Sequence, residues 1–160
     1  MNALKLNLDQ STGALSVDSI DVRHLAIHAV HQLVLTHQLQ VNEVDAEGFK
    51  KFSLPVEFAG EDCRLRLDFE IATNRLDDLY LYWMGGVARA KQWDATPRDL
   101  KQDLRAFAAL VSARLALAVV PASEWIEEAT FTWGSVRLEA SPKAMTIAVT
   151  FNLASSASAN

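Results

Sequence analysis

Hydrophobic and polar residues alternate along three neighbouring stretches near the middle of the chain, and this alternation predicts β-strands. The segments FKKFSLPVEF (49–58) and CRLRLDFEIA (63–72) each direct apolar side chains to one face and polar side chains to the other. DLYLYWMGG (78–86) follows after a short polar turn. The three stretches therefore predict a meander of consecutive antiparallel strands.

The third stretch differs from the other two because both of its faces are apolar or aromatic. One face carries Leu79, Leu81 and Trp83, and the other carries Tyr80, Tyr82 and Met84. The neighbouring predicted strands each keep one polar face, which indicates a sheet that helices cover on one side only. Because exposed aromatic surface usually marks an interface, we predict that the first set joins the core and that Tyr80, Tyr82 and Met84 contact a partner.

Two other stretches have helical periodicity. Apolar residues recur at helical spacing from Asp18 to about Leu39. A second helix is predicted from Thr96 to about Val119, because Thr96 is a favourable N-cap and Pro97 follows it at the first helical position. This second helix carries an additional apolar stripe, which indicates a second packing partner. The stripe consists of Leu110, Ala113 and Leu117.

These patterns together predict an α+β fold. It consists of a twisted antiparallel sheet of about five strands with two helices, in the order helix, three strands, helix, two strands. Alternation in residues 3–17 adds an N-terminal hairpin before the first helix. We predict a single domain over residues 1–153, followed by a disordered tail at 154–160, where the residues are small and polar.

Composition narrows the classes of partner. Twenty acidic residues against fifteen basic ones give a net charge of -5, and Lys and Arg never cluster beyond a pair, so we expect no nucleic acid partner. No run of about twenty apolar residues is present, so we expect no membrane insertion. The amino terminus lacks the pattern of a secretory signal, and the lone Cys63 fits a buried thiol in a reducing compartment, which favours the cytoplasm.

The four histidines are the strongest candidates for metal chemistry. His24, His28 and His31 fall within a narrow arc of the first predicted helix, and a pair of them could hold a metal ion. The remaining strong ligands are not spaced to complete a site, so we expect a solvated polar face with no metal or cofactor. No nucleophile or phosphate-binding motif is present, and we predict that the protein is not an enzyme. A histidine-assisted metalloenzyme is the third hypothesis, which metal analysis would test.

The order of these elements resembles that of class I type III secretion chaperones. The segment CRLRLDFEIATNRLDDLYLYWMGG is similar to the central hairpin of that family, and the helix from Thr96 to Val119 is similar to its second helix. EEATFTWGSVRLEASPKAMTIAVTFNL resembles its closing hairpin, so the resemblance covers residues 18 to 153.

The resemblance implies a non-enzymatic, cytoplasmic homodimer that holds the amino-terminal segment of an exported effector in extended form. It implies that Leu110, Ala113 and Leu117 form the dimer interface. A different class of protein is the main alternative: a toxin-neutralising immunity protein, which is also small and acidic and binds a folded partner through complementary charge.

Overall fold

The computed structural model describes residues 4–153, so the predicted tail at 154–160 lies outside the described residues. The strands are β1 Leu6–Leu8, β2 Leu15–Val17, β3 Ile20–Asp21, β4 Asn42–Ala46, β5 Phe49–Phe58, β6 Glu61–Glu70, β7 Arg75–Trp83, β8 Val120–Ser123, β9 Ile126–Phe131, β10 Gly134–Ser141 and β11 Thr146–Leu153. The α-helices are α1 Ile27–His37, α2 Val87–Lys91 and α3 Pro97–Leu115, with 3-10 turns at Val22–His24 and Gln92–Asp94.

Eight of the strands form one antiparallel sheet in the order β4-β5-β6-β7-β11-β10-β9-β8, and β1, β2 and β3 form a small second sheet. The second sheet touches the first through the backbone, where Glu57 N–H donates to the Leu4 carbonyl at 2.7 Å. The prediction of a five-stranded sheet with two helices is therefore wrong. The consecutive strands β5, β6 and β7 do form a meander, and the expected N-terminal hairpin is present as β1 and β2.

Two of the missed strands, β4 and β8, are the short ones at the two ends of the large sheet. Every residue of β8 is exposed, and so are four of the five residues of β4. A strand with no buried face has no alternation of apolar and polar residues, so the hydrophobic pattern could not reveal it.

The first helix is also shorter than predicted. Asp18 and Ser19 adopt positive φ angles of 51° and 74°, which make the tight turn between β2 and β3. The Asp21 carboxylate then accepts from the Arg23 backbone N–H and caps a 3-10 turn, so α1 begins only at Ile27. The first turn of α1 is capped from a distance, because the Asn74 side-chain oxygen accepts from Ile27 N–H at 3.0 Å.

Helix α3 begins where the sequence predicts. Thr96 and Asp99 form a capping box, in which the Thr96 hydroxyl accepts from Asp99 N–H and the Asp99 carboxylate accepts from Thr96 N–H. The helix ends at Leu115, four residues before the predicted Val119, because Ala116 adopts the left-handed conformation that ends many helices.

One face of the large sheet packs against the helices. Helix α3 lies on β9, β10 and β11, and α1 places the ring of His31 5.4 Å from that of Phe52 in β5. The largest fully buried side chains all belong to this layer or to the small sheet; the largest are Phe52, Phe58, Phe69, Phe107, Leu4, Leu54 and Leu65. The opposite face of the sheet carries partly exposed polar side chains and the two tyrosines of β7.

The end of β7 is fixed to α3 by close packing. The Trp83 ring stacks on Phe107, with ring centroids 4.7 Å apart. The buried Asp103 carboxylate accepts from the backbone N–H groups of Val87 and Ala88, each at 2.8 Å. Gly86 has a φ of 97°, and a Cβ there would lie 2.6 Å from the Asp103 carboxylate, so this position requires glycine.

Candidate functional site

The two edges of β7 are paired very differently. Its ladder with β6 contains eight residue pairs, from Cys63 opposite Trp83 to Glu70 opposite Arg75. Its ladder with β11 contains two pairs, Leu81 with Val149 and Tyr82 with Ala148. On the N-terminal side of Leu81, β7 diverges from β11, and we call the place where the two strands separate the seam.

A cleft of about 540 Å³ opens along the seam. Its sides are the diverging parts of β7 and β11, and it is also bordered by the loop before β2 and by the 3-10 turn Val22–His24. The apolar lining residues are Ala14, Leu15, Val22, Leu76, Leu79, Phe151 and Leu153, and the polar ones are Thr12, Arg23, Asp77, Asp78, Tyr80, Thr150 and Asn152. Polar groups therefore stand beside the apolar ones and are available to orient a ligand, and we call this cleft the seam cleft.

An irregularity in β7 accompanies the divergence of the strands. The register between β6 and β7 shifts after Asp68, so that Asp78 lies opposite Asp68 and Asp77 has no opposite residue. Such a bulge increases the local twist of a strand. Two carboxylates directly opposite each other also disfavour tight pairing, although the Arg66 Nε atom lies 3.3 Å from the Asp68 carboxylate and offsets part of the repulsion.

The N-terminal hairpin forms one wall of the seam cleft, and this wall is held by Trp133, which lies 123 residues after Gln10 in the chain. Trp133 Nε1 donates to the Gln10 carbonyl at 2.6 Å, and the Trp133 ring stacks on Phe131 with centroids 4.7 Å apart. Gly13 has a φ of 78°, and a Cβ there would lie 2.3 Å from the Trp133 ring. The hairpin therefore sits against the β9–β10 turn at a position where only glycine fits.

The polar groups of the seam cleft differ in charge between its two sides. The Arg23 side chain donates to Asp21 and, with the Arg23 backbone N–H, lowers the pKa of that carboxyl to about 2. On the β7 side, Asp77 and Asp78 are both exposed. Burial raises the pKa of the Tyr80 hydroxyl, and the neighbouring Asp78 carboxylate raises it further. The β7 side of the cleft is therefore acidic.

The three residues predicted to bind a partner have separate positions. Tyr80 lines the seam cleft, whereas Tyr82 belongs to the last ladder pair and stands outside it. The two rings stack with centroids 6.5 Å apart, and the Arg66 guanidinium lies 6.0 Å from the Tyr80 ring. Tyr80, Tyr82 and Met84 are all partly exposed, while Leu81 on the opposite face is fully buried.

The residues predicted for the dimer interface do not lie on one helical face. Leu110 is half-buried and Ala113 is exposed, and both belong to α3. Leu117 follows the end of the helix and is buried in the core. Leu110 and Ala113 therefore remain a prediction for a dimer contact, whereas Leu117 contributes to the core of a single chain.

The histidines do not form the single arc that the sequence predicts. His24 lies in the 3-10 turn before α1, and His28 and His31 lie in α1. His31 pairs with the Glu43 carboxylate on β4. In residues 4–153, no group of three or more His, Cys, Asp or Glu side chains is arranged to hold a metal ion. Burial raises the pKa of the Cys63 thiol to about 12, so this cysteine remains protonated at neutral pH.

Two features of the surface were not predicted from the sequence, namely the seam cleft and the exposure of Trp93. The seam cleft depends on pairing between residues far apart in the chain, and Leu15, Val22 and Phe151 give only the ordinary signal of core positions. Trp93, in the 3-10 turn after α2, is 98% exposed, and nearby Val87 is 45% exposed. The polar segment around Trp93 was the only signal in the sequence that could have indicated its exposure.

The comparisons with known proteins found no relatives. No family model, curated protein or solved structure matches this chain. In the part of the chain that the structure describes, no helix has the length and apolar character needed to cross a membrane. Any proposal about function therefore rests on the geometry of the chain itself.

Proposed function

We propose that the chain is a non-enzymatic binding protein that holds an extended segment of a partner protein in the seam cleft. The observation that carries this proposal is the two-pair ladder between β7 and β11. On the N-terminal side of Leu81, the edge of β7 that faces the seam has backbone N–H and C=O groups that are not paired with β11. An extended peptide can add to such an edge through main-chain hydrogen bonds, while pockets for its side chains give specificity.

The lining of the seam cleft indicates which segment would fit. Side chains alternate along an extended peptide, so every second one would point toward the apolar residues Leu76, Leu79 and Phe151. The intervening side chains would point toward Asp78 and Tyr80 on the acidic side. The proposed partner segment therefore alternates apolar residues with basic or polar ones.

This proposal keeps the peptide-holding activity that the resemblance to class I type III secretion chaperones implies, without the fold that it implies. An exported effector is then the proposed client, and the cytoplasm is the proposed location, in keeping with a single buried thiol. A homodimer through Leu110 and Ala113 is part of the same proposal. It is tested separately, by measuring the molar mass of the purified protein in solution.

The test uses a displayed library of random peptides selected on the immobilised protein. We expect the selected peptides to share an alternation of apolar and basic residues. Tyr80→Lys adds a positive charge inside the seam cleft, where it repels the basic residues of a selected peptide, and it should abolish binding. Tyr82→Lys is the matched control, because it adds the same charge to the same strand face outside the cleft and should leave most of the binding intact.

Two results would contradict the proposal. One is a selected set with no alternation, and the other is equal loss of binding in both variants while their circular dichroism spectra remain those of the unmodified protein. Selection of apolar peptides with no strand-like spacing would indicate instead that the cleft takes a compact apolar ligand.

A second candidate function is that of an immunity protein, and the exposure of Trp93 favours it. Tryptophan is among the residues most enriched at the energetic centres of protein interfaces, and it is rarely exposed without a partner. This candidate predicts one-to-one binding to a folded toxin encoded beside the chain. The substitution Trp93→Ala should then weaken that binding, while Tyr80→Lys should not change it.

A further inference from the structure

A carboxylate is buried without a partner at the other end of the large sheet. Glu127 on β9 lies opposite Leu138 on β10, so its side chain points to the helix-covered face. The residue is 9% exposed, and among the described residues Glu127 Oε2 is the buried side-chain oxygen or nitrogen that lacks a hydrogen-bond partner. Leaving a buried polar atom unpaired destabilises the fold, so such an atom calls for an explanation.

The Glu127 carboxylate faces a cavity of about 150 Å³ between α3, β8 and β9. Pro121 lies opposite Glu127 in the β8–β9 ladder and, as a proline, has no N–H to offer. The register of that ladder shifts between Pro121 and Ser123. The wall beside Glu127 is therefore open where a regular strand would close it.

The other charged residues around the cavity leave Glu127 available. Lys101 on α3 pairs with Glu124 and lies 5.0 Å from the centre of the Trp125 ring. Arg105, also on α3, lines the cavity and favours the charged form of Glu127, but Glu127 Oε2 receives no hydrogen bond from it. Burial nevertheless raises the pKa of Glu127. The cavity thus has a carboxylate acceptor inside, and its border carries Arg105 and the ion pair between Lys101 and Glu124.

We propose that this cavity binds a small zwitterion of amino-acid type. Its ammonium group would donate to Glu127 Oε2, and its carboxylate would lie between Lys101 and Arg105. A water molecule takes about 30 Å³ of liquid, so the cavity has room for about five waters or for one ligand of that size. The site is distinct from the seam cleft, since the two share no lining residue.

The experiment is isothermal titration of the full chain with glycine and with alanine. Ethylamine and acetate are the control ligands, because each carries only one of the two charges. We expect glycine or alanine to bind and both controls to bind more weakly. Glu127→Gln should lower the affinity at least about tenfold, because a hydrogen bond between charged groups becomes one to a neutral amide. Glu128→Gln, on the opposite face of the same strand and paired with Arg137, should leave the affinity unchanged.

A second measurement uses the unmodified protein, so it holds even where Glu127→Gln fails to fold. The ammonium group favours the charged form of Glu127, which Lys101 and Arg105 also favour and Glu124 opposes. At a pH where the free protein holds part of the Glu127 proton, binding should therefore release protons, and the observed heat should depend on the ionisation enthalpy of the buffer. Absence of binding would overturn the proposal, as would equal binding of glycine and acetate or equal loss in the two glutamine variants.

Discussion

The two edges of β7 show how differently one strand can be paired within a single sheet. On the β6 side, eight residue pairs join it to a neighbour whose apolar residues are almost fully buried. On the β11 side, two pairs join it to a strand that comes more than sixty residues later, and the rest of that edge borders a cleft. The same residues of β7 lie next to both β6 and β11. The difference lies in the register shift after Asp68 and in the wall formed by the N-terminal hairpin.

In this sheet, the unpaired part of a strand edge lies in the interior of the sheet, between β7 and β11, and not at its outer strands. Edge strands at the outside of a sheet invite uncontrolled association, and short length or charge often limits it. Here the outer strands β4 and β8 are short, with acids in β4 and a proline in β8. The open edge of β7 is instead partly covered by the hairpin. Five substitutions test this difference between the two edges of β7.

The largest expected difference in unfolding free energy is between truncations of two leucines that lie opposite each other on β6 and β7. Leu67 is 1% exposed and lies opposite Leu79, which borders the seam cleft. Leu67→Ala should lower the free energy of unfolding by about 3 kcal/mol, because it creates a cavity in a packed core. Leu79→Ala should cost about 1 kcal/mol, since water already reaches that side. Urea unfolding of both variants measures the difference, and equal costs would show that the seam is closed in solution.

A smaller effect is expected at the hairpin wall of the cleft. Gly13→Ala should lower the free energy of unfolding by about 2 kcal/mol, from a left-handed backbone and from displacement of the Trp133 ring. Gly48→Ala is the control, because Gly48 has a similar φ of 84° and open space around it. That control should cost about 1 kcal/mol. If thermal unfolding shows the same loss for both, the contact between Gly13 and Trp133 contributes no stability.

The smallest effect concerns the facing carboxylates at the register shift. Asp78→Asn should raise the free energy of unfolding by about 0.5 kcal/mol, because it removes the repulsion with Asp68. It should also bring the pKa of Tyr80 back toward about 10, since the Asp78 charge disfavours the phenolate.

The sign of the pH effect at Tyr80 follows from the direction of its shift. The folded chain holds the Tyr80 proton to a higher pH than the unfolded chain does, so stability falls as pH rises from the unfolded value through the folded one. Asp78→Asn should reduce that loss. Carbon NMR of the tyrosine rings during a pH titration checks it, and an unchanged Tyr80 titration in Asp78→Asn would contradict the assignment.

Local sequence patterns correctly predicted the strands of the meander and the start of α3, which depend on residues a few positions apart in the chain. Alternation placed β5, β6 and β7, and the residues Thr96 and Pro97 placed the start of α3, because strand faces and helix caps depend on residues a few positions apart. The predicted five-stranded sheet failed where strands lack a buried face, as in β4 and β8. The first helix failed where Asp18 and Ser19 form a turn that hydrophobic spacing does not report.

The candidate site was predicted only in part, for the same physical reason. Tyr80 was identified from the surplus of aromatic residues on its strand, and it does line the seam cleft. The cleft itself depends on where the pairing of β7 with β11 stops, which no local pattern encodes. Glu127 stands directly beside Glu128 in the sequence. Its burial depends on which face of β9 turns toward α3, and an acidic pair gives no indication of that.

The hydrogen bond between Trp133 and Gln10 has a consequence for protein synthesis. Its partners are 123 residues apart, and β11 is the last described strand of the chain. During translation β5, β6 and β7 emerge and can pair well before β11 exists, so the nascent chain presents a β7 edge with neither its two-pair partner nor its tryptophan-held wall. We therefore expect ribosome-bound intermediates to be the form most prone to aggregate, and the seam cleft to be completed only after β11 has been synthesised.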